Sequence, residues 1–213
     1  MAIKLPAIGA IMPSDLSERT SAAVGEADTI ENALFEDDLL ELVSARVLDF
    51  SRCVFRRVRF DNCDIERVHF TDCRFESCDL SGFQLRDGTL RRVCFEDCRC
   101  SGTSFSRMSL RDARFERCQL NYAGFVEVKL QNTGFIDCPM GHVLFHRCSQ
   151  RELLLSDCDL TRAEIIETPM KGVDLSDCAI DALRTSVAWL EGTTVSLAQA
   201  PALLSLCGIR LKL

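Results

Sequence analysis

The side chains in this chain that could do chemistry are mainly thiols and imidazoles: thirteen Cys and three His among 213 residues. Six of the thiols, Cys78, Cys98, Cys118, Cys138, Cys158 and Cys178, recur every twenty residues. Thiolates can attack, cross-link or ligate a soft metal. No two cysteines stand at the C-x-x-C spacing of a metal knuckle, and the odd total does not suit a disulfide scaffold. His142 and His146, with Cys138 and Cys148 nearby, form one conceivable metal set. A four-residue spacing lines one face of a helix, but on an extended path it spans a corner, so these read as surface histidines. There is no nucleophile elbow, phosphate-binding loop or zinc-hydrolase motif. Carboxylate pairs abound, yet nothing suggests a cleft that would perturb them. The expectation is a protein without catalysis, metal or cofactor, its thiols reduced in the cytoplasm.

The twenty-residue spacing belongs to a finer period. From position 50 to 180, residues whose numbers are multiples of five are Phe, Leu, Ile or Met at 25 of 27 sites; Cys100 and Gln150 are the exceptions. The positions two residues before these are mostly small: between 53 and 178 they include ten Cys, six Val, three Ala and three Thr. A period of five fits neither helix nor flat strand, so one small unit is copied many times. Each unit reads small, polar, large, polar, polar. Phe55, Phe75, Phe95, Phe115 and Phe135 repeat the interval of the thiols. Twenty residues make four five-residue sides, which predicts a square, all-β solenoid with like residues stacked in columns. Stacked strands lie ~4.8 Å apart, so about seven coils give a rod of roughly 34 Å.

The small-x-large unit, with Asp64-Ile65, Asp79-Leu80 and Asp159-Leu160 in its common form, resembles the pentapeptide-repeat proteins over roughly residues 46–185. The resemblance implies a right-handed quadrilateral β-helix. Cys stands here where that family more often has Ala.

The chain divides into three zones. Residues 1–45 carry two basic and nine acidic side chains and form an acidic N-terminal segment or cap. Within it Thr29 to Leu42 could form a short helix, or Phe35 and Leu40 could continue the register; a mixed cap is expected. Residues 46–185 hold 21 basic and 22 acidic residues. Residues 186–213 read as a C-terminal cap. Ser196 to Gln199 has the form of a capping box, Leu197 to Cys207 has helical spacing, and Ile209, Leu211 and Leu213 alternate as a last strand. The stretch from Met1 to Pro13 is too short and too interrupted, by Pro6 and Gly9, for a secretory signal. No stretch is long enough to span a membrane.

Three outer surfaces stand out. Glu76, Glu96 and Glu116 form one acidic column, with Asp97, Asp137, Asp157 and Asp177 beside it. Arg91, Arg111, Arg151 and Lys171, near Lys129, form a basic face interleaved with Asp72, Asp112 and Glu152. Val126, Leu144 and Ile166 point outward on successive coils beside Gly124, as a candidate apolar patch for the N-terminal segment or a partner. At the tail, Trp189, Leu197, Leu203, Leu204, Leu206, Ile209, Leu211 and Leu213 are more apolar surface than closing one coil requires. A homodimer through that tail is expected. The tail also resembles the dimer-forming end of gyrase-protecting pentapeptide proteins. That resemblance implies a DNA mimic that binds a type II topoisomerase, DNA gyrase, and counters quinolones. Charge argues against it: ~34 Å of duplex carries about 20 negative charges, whereas the repeat zone is nearly neutral. The favoured reading is a non-enzymatic protein-binding scaffold acting through the outer faces of a rod. Direct nucleic-acid binding ranks last, because one face alone is basic.

Overall fold

The structure, a computed structural model, describes residues 2–26 and 28–209. The five-residue register becomes a square β-helix in which each strand pairs in parallel with the strand twenty residues on, as in Phe95 against Phe115 and Phe105 against Phe125. Face 1 is centred on Phe50, Phe70, Leu90 and Leu110, and face 2 on Phe55 to Phe135. Face 3 is centred on Phe60, Leu80 and Cys100, and face 4 on Ile65, Leu85 and Phe105. An eleven-stranded sheet covers face 1 and face 2 and bends over the corner onto the first coils of face 4, and a six-stranded sheet covers the rest of face 4. Face 3 is joined by single bridges such as Asp79 to Arg99 and by one short strand pair.

The central residue of each side is buried except at half-buried Gln150 and Thr185, and Phe55, Phe75, Phe95, Phe115 and Phe135 stack with ring centroids 4.5 to 4.9 Å apart. A second ladder, Phe105, Phe125 and Phe145, meets the first edge to face. The coil spacing of ~4.8 Å sets the stacking distance. Nearly every corner holds a left-handed residue, among them Asp97 at φ 55°, Arg117 at φ 51° and Tyr122 at φ 60°. That conformation is unfavourable for side chains other than Gly, Asn and Asp. It persists because most such N–H groups donate to the next coil, as Asp97 does to the Glu116 carbonyl at 3.0 Å. Gly88 is required by close approach: a Cβ there would lie 1.9 Å from the Val68 carbonyl oxygen.

The rod has about nine turns, two more than expected. Strands Thr29–Glu31, Ala33–Glu36 and Leu39–Glu41 pair with strands twenty residues later, so the solenoid begins inside the segment assigned to the cap. Of the two alternatives for Thr29 to Leu42, the strands follow the continued register, with Phe35 opposite Phe55 and Leu40 opposite Phe60, and neither the short helix nor a mixed cap forms there. The helix is upstream, α1 at Leu16–Glu26. Asp15 caps it by accepting the Glu18 N–H at 2.7 Å, and Leu16, Thr20 and Ala23 are buried against the first coil. Ahead of α1, residues 2–14 run in extended form along the rod.

At the other end a 3-10 turn, Leu197–Gln199, leads into α2 at Ala200–Leu206. Gln199 accepts from the Ser196 N–H at 2.7 Å, as a capping box requires, and its amide donates to the carbonyls of Leu175 and Cys178 in the last coil. Ile209 is exposed and in no strand; Leu211 and Leu213 of the expected final strand lie outside the described residues.

Candidate interaction surfaces

The six-thiol column is internal, each member at most 5% exposed, and all thirteen cysteines are free. Each thiol from Cys78 to Cys158 donates to the carbonyl of the large residue 23 positions earlier, as Cys118 does to Phe95 at 3.4 Å. Thr103 and Thr168 make the same bond to Leu80 and Phe145. The thiol thus acts as a small apolar residue with a donor. The neighbouring thiols of Cys118 and Cys78, together with burial, push Cys98 far above its ordinary value, which makes it a poor nucleophile. His142 and His146 project outward while Cys138 and Cys148 point into the core, so the four do not converge. Among the described residues no three His, Cys, Asp or Glu side chains are grouped as metal ligands would be.

The charged columns are cross-linked. Asp97 pairs with Arg117 at 2.8 Å, Glu116 with Arg117 and Arg114 at 2.5 and 2.6 Å, and Glu76 with Arg56 at 2.8 Å. Arg57 to Asp37 and Arg107 to Asp87 repeat the arrangement one coil apart. Hydrogen bonding to Arg117 holds the Asp97 carboxyl below its ordinary value, and Arg107 does the same for Asp87. Glu96 accepts from the Cys94 thiol instead. Asp137, Asp157 and Asp177 have no ion-pair partner among the described residues, and Ser156 donates to the last two. The acidic surface therefore shrinks to a short strip at one end. The basic face is broken as well: Gln131 stands between Arg111 and Arg151 in register.

The apolar patch is assembled on face 4. Strands Gly124–Val126, Leu144–His146 and Glu164–Ile166 are adjacent, with Val126, His146 and Ile166 in one column and Leu144 beside it. Ile166 is 39% exposed, and Val126 and Leu144 are half-buried. The N-terminal arm does not cover it. The arm's bonds go to Asn132, Asp112, Asp72 and Asn32, at the corner between face 1 and face 2. At the rim of the patch Tyr122 stacks on His142 with centroids 4.7 Å apart, and Tyr122 is 66% exposed.

Comparison with known proteins agrees with this geometry. The family profile of the pentapeptide repeat region matches residues 48–125 and 68–141. Residues 48–141 are a pentapeptide-repeat region. HetL, a pentapeptide-repeat protein involved in heterocyst differentiation regulation in the cyanobacterium Nostoc sp. strain PCC 7120, superposes with a TM-score of 0.60 at 13% identity. The match covers 86% of this chain and 91% of HetL. A trypsin-treated form of QnrB1, a plasmid-mediated fluoroquinolone resistance protein, gives a TM-score of 0.48 at 21% identity, over 86% of this chain and 90% of its own. No curated protein matches the sequence.

Beyond the repeat region the chain carries a second apolar surface at its C-terminal end. Val187, Leu190, Val195, Leu203, Leu204 and Leu206 line an open groove of about 300 Å³. Leu190, Val195 and Leu203 pack partly on the core, whereas Leu197 is 90% exposed. Trp189 is half-buried beside them. The stack of Tyr122 on His142 was not anticipated from sequence. Its signal is the chain's one Tyr at a corner position, twenty residues before a His.

Proposed function

We propose that this protein is a non-enzymatic scaffold that binds another protein through face 4 of its rod. The observation that carries the reading is the outward-facing cluster of Val126, Leu144 and Ile166 on neighbouring strands, with exposed Tyr122 at its rim, which the described N-terminal arm leaves open. Interface anchors are enriched in aromatic side chains set among apolar neighbours. The ion-paired columns make the rest of the lateral surface electrostatically mixed, which favours shape and apolar recognition over a long-range field. A DNA-like mimic of gyrase's substrate needs an acidic strip the length of the rod, and Arg56, Arg114 and Arg117 interrupt the one the sequence suggests. The free thiols suit a reducing compartment. Among the described residues no helix is long and apolar enough to cross a membrane. Photo-crosslinkers placed at 144 and 166 should capture one defined protein in host extract, and a crosslinker at 119, exposed on face 3, should not. Equal capture from both positions would defeat the reading. Recovery of gyrase subunits would restore the topoisomerase alternative. At the C-terminal end the groove beside α2 is proposed to seat a second copy.

A further inference from the structure

Residues 2–12 lie over a strip of the rod that is built to hold extended chain. Four outward-facing residues there are buried: Val54, Asp72, Cys94 and Asp112, at 5, 7, 1 and 8% exposure. Asp72 accepts the Ala7 N–H at 2.9 Å, and Asp112 accepts the Lys4 N–H at 3.5 Å. One coil beyond, Asn132 donates to the Ala2 carbonyl at 3.1 Å. Ile3 sits where Gly134 has no side chain; a Cβ there would be 2.7 Å from its Cδ1. Asp72 and Asp112 are two coils apart, about 9.6 Å. Lys4 and Ala7 are three residues apart, about 10 Å in extended form. The carboxylates therefore match every third peptide of an extended segment.

The same strip holds unused hydrogen-bonding capacity. Arg74 Nε, Arg114 Nε and Asn132 Oδ1 are buried without a partner among the described residues. Buried polar groups are rarely left so. Arg74 and Arg114 are held at their far ends by Glu76 and Glu116. They repeat at the same two-coil interval, because Asp72-Cys73-Arg74 and Asp112-Ala113-Arg114 are one forty-residue repeat of the sequence. The arm uses the acceptors and leaves both Nε–H donors idle.

We propose that this strip is a docking groove for an extended peptide segment of another protein, and that residues 2–12 fill it as a resident substitute. The ligand presents N–H groups to Asp72 and Asp112 and carbonyls to the Nε–H of Arg74 and Arg114, in the manner of main-chain recognition of extended peptides. The groove is separate from the face 4 patch, and its test is independent of that reading.

The test uses the full-length chain carrying Ile3→Asp and Ala7→Pro, which weaken the arm without touching the rod. The probe is a fluorescein-labelled synthetic peptide of residues 2–13, followed by polarisation. The probe should bind the weakened-arm chain at least about tenfold more tightly than the wild type, and Asp112→Asn in that background should cost about tenfold. Cys94, read by peptide-resolved thiol labelling, should become reactive in the weakened-arm chain and be protected again by the probe, while Cys98 stays unlabelled. Absence of binding, binding indifferent to Asp112, or a Cys94 as protected as in the wild type would each overturn the groove. Protection of Cys94 that rises with protein concentration in the weakened-arm chain would overturn the assignment to a foreign segment, because a second copy would then be the occupant.

Discussion

The small position of each unit looks like a plain space-filler, yet where it is Cys or Thr it also donates to a carbonyl. The thiols of Cys118 and Cys138 and the hydroxyls of Thr103 and Thr168 donate across coils, which is why Cys and Thr interchange there. Thiol labelling of the native protein should modify Cys207 at once and half-buried Cys63 more slowly, with the remaining thiols reacting only on unfolding. Fast labelling of Cys118 would contradict the packing. Gln150 shows a different solution. An amide in an apolar column needs hydrogen-bond partners. Strand Ser149–Ser156 stays regular, and the amide donates to the carbonyls of Lys171 and Pro169 at 3.0 and 3.4 Å. Pro169 has no N–H for the ladder, and face 1 has no strand at that coil, so Gln150 bridges the gap. Gln150→Leu should cost about 1 kcal/mol, the loss of these bonds being partly offset by apolar burial. Chemical denaturation measures it, and a gain in stability would show the bonds to be idle.

At the scale of elements, the strands were legible because period five and period twenty are both written in Phe and Cys. The corners were less so. Left-handed residues include Arg117, Tyr122 and Leu42, types that do not announce that conformation, so it is imposed by the hydrogen bonds their N–H groups donate to the next coil. Helix α1 did carry a local signal, Asp15-Leu16-Ser17-Glu18, and Asp15→Ala should cost about 1 kcal/mol by removing the cap. The arm before it has no period, and its place is fixed by Asp72 and Asp112 far along the chain, which no local pattern reveals. The corner ion pairs have a pH signature. Hydrogen bonds from Arg107 and Arg117 hold Asp87 and Asp97 below the ordinary value of 3.8. Their contribution is present above that value and is lost as pH falls through the lower folded value. Stability should therefore change little between pH 7 and pH 5 from this source and decline below about pH 4. In Arg107→Gln/Arg117→Gln the acid slope should be shallower, because folded and unfolded carboxyls then titrate together. Thermal unfolding at graded pH tests this, and identical slopes would show that the pairs do not matter to folding.

For the whole molecule, the decisive question is what covers the end of the rod. A solenoid exposes strand edges and apolar side chains at its last coil, and a cap must hide them. Gln199 satisfies the carbonyls of Leu175 and Cys178, and Leu190, Val195 and Leu203 cover part of the core. Among the described residues the cap is incomplete: Val187 and Leu197 remain 51% and 90% exposed around a groove lined by Leu204 and Leu206. A two-fold partner presents the same patch and can cover both copies at once. Sedimentation equilibrium at micromolar concentration should therefore show a dimer of the 23.8 kDa chain. Leu204→Glu, which places a charge in the groove, should dissociate that dimer while the circular-dichroism signal of the β-helix persists. Leu203→Glu should instead lower thermal stability as well, because Leu203 packs against the core. A clean monomer for the wild type would reduce the tail to a cap. The scaffold would then offer its faces singly, not as two copies joined end to end.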